Sequence, residues 1–309
     1  MSSALLRAAI RRARGAARRL LLPRIRQRRL RRLLSEGFPE LFAEATRFLI
    51  TGKADEAACS TANKIESIRN AIASQGDKKV TIWYSPKPGS SGDHVTSDLK
   101  PQPGKVLEFT MKQIAHRASK NRLWGLFLHL LVRTFNAKTV VELGSCAGIS
   151  GCYLASPPSV ETFITVEGSP HLAQLARESF HTIFPRAIVL NMLFDDAIDN
   201  EIPRFLKTKI DFIYIDGHHE KIATIHYFEK IMPHLSDQAV VVFDDVSWSS
   251  DMREAWNILS SSSVFSHSMD FGALGVCLFE RNRTRQGQYW NLQPVVGFVK
   301  IGDPEGWKA

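Results

Sequence analysis

Cysteine is scarce in this chain: four in 309 residues, at Cys59, Cys146, Cys152 and Cys277. None forms a CxxC pair or a Cys/His cluster of zinc spacing, which excludes a disulfide scaffold and structural zinc and points to reduced thiols in a cytoplasmic compartment. Long apolar runs are also missing. Nothing approaches the ~20 residues of a spanning helix, and no apolar core precedes a small-residue cleavage site, so neither a membrane span nor a secretory leader is expected. The first 35 residues lack both acid and lysine, carrying twelve arginines instead. Without that block, 28 of the 40 basic residues face 31 acidic ones, so the net charge of +9 belongs to the tail and the remainder is slightly negative. A near-neutral remainder gives no compositional reason for a nucleic-acid substrate. With 44% hydrophobic and 23% charged residues, the length suits one large α/β domain with an appendage.

Placed on a helix, residues 4 to 22 gather Leu5, Ala9, Ala13, Ala16 and Leu20 on one side and Arg7, Arg11, Arg14 and Arg18 on the other. Pro23 interrupts this basic amphipathic pattern, and Ile25, Leu30, Leu33 and Leu34 continue an apolar thread among further arginines. Residues 1–35 therefore read as an Arg-rich tail with three competing uses: peripheral docking on an anionic membrane, an acid-poor organellar targeting peptide, or a solvated arm. The membrane surface is favoured, because arginine suits bidentate phosphate contacts. Residues 36–104 read as a helical cap and loop. Its helices run through Leu41, Phe42, Ala45, Phe48 and Leu49 and through Ala57, Ala62, Ile65, Ile68 and Ile72; a strand at Val80–Tyr84 and a Pro/Gly-rich loop from Ser85 to Gly104 follow. A helical stretch then reaches about Phe135.

From there apolar runs alternate with amphipathic segments. Strands are expected at Thr139–Leu143, Thr162–Val166, Ala187–Leu190, Asp211–Ile215, Ala239–Phe243, Val264–Met269 and Gly275–Glu280, with helices near 148–155, 170–182, 196–206, 220–235 and 249–260. Near-continuously apolar strands separated by helices indicate a parallel sheet covered on both faces, an α/β doubly wound, Rossmann-like fold spanning 105–285, followed by an extension at 286–309.

The first of these strands ends in Glu142-Leu-Gly144-Ser145-Cys146-Ala-Gly148-Ile-Ser150, whose glycines permit a tight turn against which a ligand can lie. The dinucleotide fingerprint GxGxxG fails at Cys146 and Ile149, and no Lys-Ser/Thr pair follows Gly148, which excludes a P-loop. The pattern Glu142-x-Gly144-x-x-x-Gly148-x-Ser150 resembles motif I of class I S-adenosylmethionine-dependent methyltransferases, in the form found in the metal-dependent, catechol O-methyltransferase-like branch. The likeness covers about Arg122 to Glu280. It implies a seven-stranded sheet with an antiparallel last strand, and a glycine turn facing the methionine part of S-adenosylmethionine. Glu167, 25 residues after Glu142 at the end of the second strand, would accept the ribose hydroxyls. Asp195 would lie near the adenine amino group. The implied cofactor set is Glu142, Gly144, Ser145, Cys146, Gly148, Ser150, Glu167, Gly168, Asp195 and Asp216.

In the class I strand order, the strands ending in Asp216-Gly-His218-His219 and in Asp244-Asp245 are neighbours about 4.8 Å apart, so three carboxylates converge at one rim. Oxygen-only ligands at Asp216, Asp244 and Asp245 favour Mg²⁺ or Mn²⁺ over zinc. Relatives commonly carry Asn where Asp245 stands. Asp216 and His219 are the expected catalytic pair, His219 as base toward an acceptor hydroxyl and His218 as second choice. Trp248 is expected to wall the acceptor and Trp256 to sit in the core. The leading reading is O-methylation of a hydroxylated small molecule, sugar or glycolipid; the alternatives are a nucleic-acid methyltransferase recruited by the tail and a silent cofactor-binding scaffold.

Overall fold

The computed structural model describes residues 24–83 and 106–296. The expectations for the helix at 4–22, for the loop at 85–104 and for the chain past 296 fall outside the described residues. Residues 24–35 form helix α1, and α2 (Ala43–Thr51) and α3 (Glu56–Ala73) follow. Strand β1 (Lys79–Trp83) pairs antiparallel with β2 (Val106–Thr110) as a separate two-stranded sheet. This corrects the expectation of helix from 105 onward. Val106-Leu-Glu-Phe-Thr110 is rich in β-branched and aromatic residues, and its preference for strand is realised once β1 supplies a partner. Regular helix resumes only at α4 (Arg122–Phe135), after a π-helical turn at Ile114–Ala118. Asn121 starts α4 by accepting the Trp124 backbone N–H at 3.1 Å.

The main sheet and its covering helices run β3 (Thr139–Leu143), α5 (Ile149–Ala155), β4 (Thr162–Val166), α6 (Pro170–Ile183), β5 (Ile188–Leu190), β6 (Ile210–Ile215), α7 (Lys221–Ile231), β7 (Leu235–Phe243), α8 (Ser250–Ser260), β8 (Phe265–Asp270), β9 (Gly275–Glu280) and β10 (Gln288–Asn291). The strand order is β10-β8-β9-β7-β6-β3-β4-β5. All pairings are parallel except those of β9, which is antiparallel to both β7 and β8. Strands β3 to β9 are thus the seven expected, closed by an antiparallel last strand, and β10 adds an eighth at the edge. The helix expected at 196–206 is interrupted, with a π-helical turn at Ala197–Glu201 between two short pieces.

Each central strand feeds two cores, because alternate side chains face opposite sides of the sheet. Val140, Phe212, Tyr214, Val240 and Val242 pack under α3, α4, α5 and α6, whereas Val141, Ile213, Ile215, Val241 and Phe243 pack under α7 and α8, with Trp256 in that second core as expected. Both faces are covered, which explains why the strands read as continuous apolar runs. The N-terminal helices join the first core. Leu30 is 2% exposed, so α1 adds a core face within what reads in sequence as an Arg-rich tail. Arg29 donates to the Pro294 carbonyl at 2.9 Å, and Phe38 meets Trp290 of β10 edge-on at 5.5 Å between ring centroids.

Candidate active site

The turn between β3 and α5 is built to press against β6. Gly144 has φ +99°, and a Cβ there would lie 1.8 Å from the Asp216 carbonyl oxygen; Gly148 has φ +81°, with Ala176 Cα 2.9 Å from where its Cβ would be. Only glycine fits either position. The close approach brings the end of β6, and hence Asp216, beside the turn.

Glu142 and Ser150 stand behind this turn. The Ser150 hydroxyl donates to Glu142 Oε1 at 2.6 Å and the Thr165 hydroxyl to Oε2 at 2.7 Å, with Glu142 fully buried. Burial pushes the Glu142 carboxyl up to about 7 against the pull of these two hydroxyls. The pair therefore braces the turn from within the protein. Ser145 is also buried. In front, the Cys146 backbone N–H donates to Glu167 Oε2 and the Ser169 N–H to Oε1, both at 2.8 Å. Glu167 thus links the glycine turn to the start of α6, with Gly168 exposed beside it. A carboxylate has about four acceptor sites, so capacity remains for a donor on a ligand. Desolvation raises the Glu167 carboxyl to about 7. The Cys146 thiol, pushed up to about 12 by burial and by Glu167, is no nucleophile at neutral pH. Asn191, which the sequence reading passed over, donates from Nδ2 to the Glu167 carbonyl at 2.8 Å.

Two expected residues have partners on α7. Asp195 accepts from Lys230 at 2.6 Å and pairs with His226 Nε2 at 2.7 Å. Burial alone would raise its carboxyl, but these two partners outweigh it and hold it low. His218 has φ +50° and its Nδ1 lies 2.6 Å from the Tyr227 hydroxyl, with the two rings stacked at 5.7 Å.

The ends of β6 and β7 do converge. His219 Nε2 lies 3.7 Å from Asp216 Oδ1 and 3.8 Å from Asp245 Oδ2. Ligand atoms of Asp216, His219 and Asp244 fall within 4.8 Å of one another. Asp245 sits at φ +50°, which turns the chain sharply after Asp244. The Trp248 ring lies 6.5 Å from that of His219. Tyr214, fully buried, donates its hydroxyl to Asp216 Oδ2 at 3.0 Å. It stands two residues before Asp216 on the same strand face, a period-two signal that could have found it.

One group at this rim had no signal in the sequence. Lys120, just before α4, places Nζ 2.5 Å from Asp244 Oδ2. Burial works against the ammonium, but the carboxylates of Asp244, Asp216 and Asp245 outweigh it and raise Lys120 above its ordinary value. Conversely, Asp244 is held low, since the Lys120 charge overcomes its burial; Asp216 is pushed well up, first by burial and then by the charge on Asp244.

Residues 141–246 match the profile of a methyltransferase domain. No curated protein matches the chain by sequence. Among solved structures, the O-methyltransferase from Bacillus cereus in complex with S-adenosylhomocysteine is similar, at 18% identity over 71% of this chain and 91% of that one, with a TM-score of 0.50. The O-methyltransferase TomG from Streptomyces achromogenes, in complex with S-adenosylmethionine, is 18% identical over 74% of this chain and 91% of that one, with a TM-score of 0.45. A methyltransferase from Geobacter sulfurreducens is 18% identical over 55% of this chain and 86% of that one, also at 0.45. The matched domain spans β3 to the end of β7, the part of the sheet that carries the glycine turn, Glu167 and the carboxylate rim, and the Bacillus likeness shows the same fold: the chain carries a methyltransferase domain on a sheet similar to that of an O-methyltransferase solved with S-adenosylhomocysteine.

Proposed function

We propose that the chain methylates a hydroxyl oxygen of a small molecule or glycan. The observation that carries this reading is the approach of His219 to Asp216 and Asp245 at 3.7 and 3.8 Å, on the sheet rim beside the glycine turn. S-adenosylmethionine supplies an electrophilic methyl group. Glu167 accepts the ribose hydroxyls, and Gly144, Cys146, Gly148 and Gly168 leave room for the rest of the ligand beside the backbone. Asp216, at the end of β6, faces both ligand and acceptor. His219 Nε2 takes the proton that the acceptor hydroxyl gives up as its oxygen–carbon bond forms and the sulfur–carbon bond breaks, and Trp248 covers the acceptor side. Asp195, held at Oδ1 by Lys230 and His226, lies near the adenine amino group.

The rim also suits a hard divalent ion, Mg²⁺ or Mn²⁺. Asp216, Asp244 and Asp245 offer oxygen only, and the buried Asp244 Oδ1 accepts no hydrogen bond among the described residues. These three carboxylates would hold the ion, which supplies positive charge where an alkoxide develops. His219 Nε2 reaches the same atoms, but a nitrogen that gives its lone pair to a metal cannot accept a proton. This reading therefore keeps the carboxylates for the ion and His219 for the proton.

The arginines of residues 1–23 support peripheral docking on an anionic surface, which would bring the protein to membrane-associated acceptors. The deciding experiment incubates the full chain and S-adenosylmethionine with phenols, sugars and RNA in parallel and follows S-adenosylhomocysteine. Turnover with hydroxylated small molecules is expected; turnover with RNA alone would overturn the acceptor class, and none on any acceptor would favour a silent scaffold.

A further inference from the structure

The carboxylate rim already holds a cation, and it comes from outside the sheet. Lys120 Nζ lies 2.5 Å from Asp244 Oδ2, with 15% of the lysine side chain exposed and 1% of the aspartate's. The backbone on both sides of Lys120 is fixed. Buried Arg69 of α3 donates Nη1 to the Ala115 carbonyl and Nη2 to the Lys120 carbonyl, both at 2.5 Å. Arg69 is itself set by Glu66, at 2.9 Å from its Nε, and Glu66 accepts the Tyr153 hydroxyl of α5 at 2.9 Å. On the other side Asn121 is locked as the cap of α4. The N-terminal cap thereby aims one ammonium at a fixed point of the methyltransferase sheet.

An ammonium is a compact point charge, and one tethered this closely is always present at its site, whereas a metal must arrive from solution. Lys120 occupies Asp244 Oδ2 and leaves Oδ1 without a hydrogen-bond partner, so a divalent ion has an oxygen to bind but meets a positive charge beside it. We infer that Lys120 is a tethered cation that competes with divalent metal at the Asp216, Asp244 and Asp245 rim, so that metal binds well only when the lysine charge is withdrawn. This inference rests on the reading of the rim as a cation site.

The test measures Mn²⁺ binding to the full chain, by electron paramagnetic resonance of free Mn²⁺, for the wild type, Lys120→Met and Lys120→Gln. Circular dichroism melts are recorded with and without Mn²⁺. Loss of one adjacent like charge should tighten Mn²⁺ binding about tenfold or more in both variants. Mn²⁺ should raise the melting temperature of the variants and leave that of the wild type nearly unchanged. Lys120→Gln keeps a neutral donor for Asp244 and carries the comparison if Lys120→Met does not fold. Equal Mn²⁺ affinity in the wild type and the folded variants would overturn the competition while leaving the rim a metal site. Absence of Mn²⁺ binding in all three would overturn the metal reading together with the competition.

Discussion

Glu142 illustrates how a single buried carboxyl makes stability depend on pH. Its folded value of about 7 lies above the ordinary carboxylate value of 4.5, so the folded state keeps a proton that the unfolded chain has lost. The stabilisation is complete below the unfolded value and disappears as pH rises through 7, with a magnitude on the order of 3 kcal/mol. Melting curves of Glu142→Gln should therefore lose less stability between about pH 5.5 and 7.5 than those of the wild type. Glu167 tests the ligand side of the same turn. Replacing it with Ala removes the acceptor for Cys146 and Ser169 as well as for the ribose, and calorimetry should show S-adenosylmethionine binding weakened by about 2–4 kcal/mol; unchanged affinity would remove the ribose role. His219→Ala should slow the chemical step about 100- to 10,000-fold with the affinity for S-adenosylmethionine nearly intact, measured by single-turnover kinetics beside calorimetry. Normal single-turnover rates in His219→Ala would move proton removal to another group.

At the scale of elements, the β3–α5 turn works because two glycines let strand, helix and the end of β6 touch. Gly144→Ala would drive a Cβ into the Asp216 carbonyl at a left-handed φ. Displacing β6 by that route should cost several kcal/mol, about 3 or more, and abolish cofactor binding, readable as a lowered denaturation midpoint with no calorimetric heat from S-adenosylmethionine. The turn and the strands around it were legible in sequence for a physical reason: a parallel strand covered on both faces must be apolar at every position, and a sharp strand-to-helix turn must carry glycine. Asp216, Asp244, Asp245 and His219 were legible because they end adjacent strands. What the sequence could not display were the contacts that depend on docking. Strand β2 needs β1 before its apolar residues favour strand over helix, and Lys120 reaches Asp244 across 124 residues with no local pattern to mark it. The partners of Asp195 and His218 were equally hidden: Lys230 and His226 meet at Asp195 Oδ1, and the Tyr227 hydroxyl lies against His218 Nδ1.

At the scale of the whole molecule, α1 belongs with the core, through buried Leu30 and the bond from Arg29 to Pro294. Removing residues 1–23 should abolish sedimentation with anionic vesicles at low salt, an attraction screened over about 8–10 Å at physiological ionic strength. Equal sedimentation of the shortened and full chains would sink the membrane role. Extending the deletion to residue 35 uncovers the apolar ground beneath Leu30 and should lower the melting temperature; Leu30→Ala alone should cost about 2–4 kcal/mol. The docking of α1 also sets a timetable. Its bond from Arg29 to Pro294 spans 265 residues, and Phe38 waits for Trp290. At a synthesis rate of about 5–20 residues per second, roughly 13–50 s pass on the ribosome between the making of α1 and the arrival of the segment that closes over it. For that interval the first helix is a nascent apolar stripe set in arginine, available to a chaperone before it is available to its own fold.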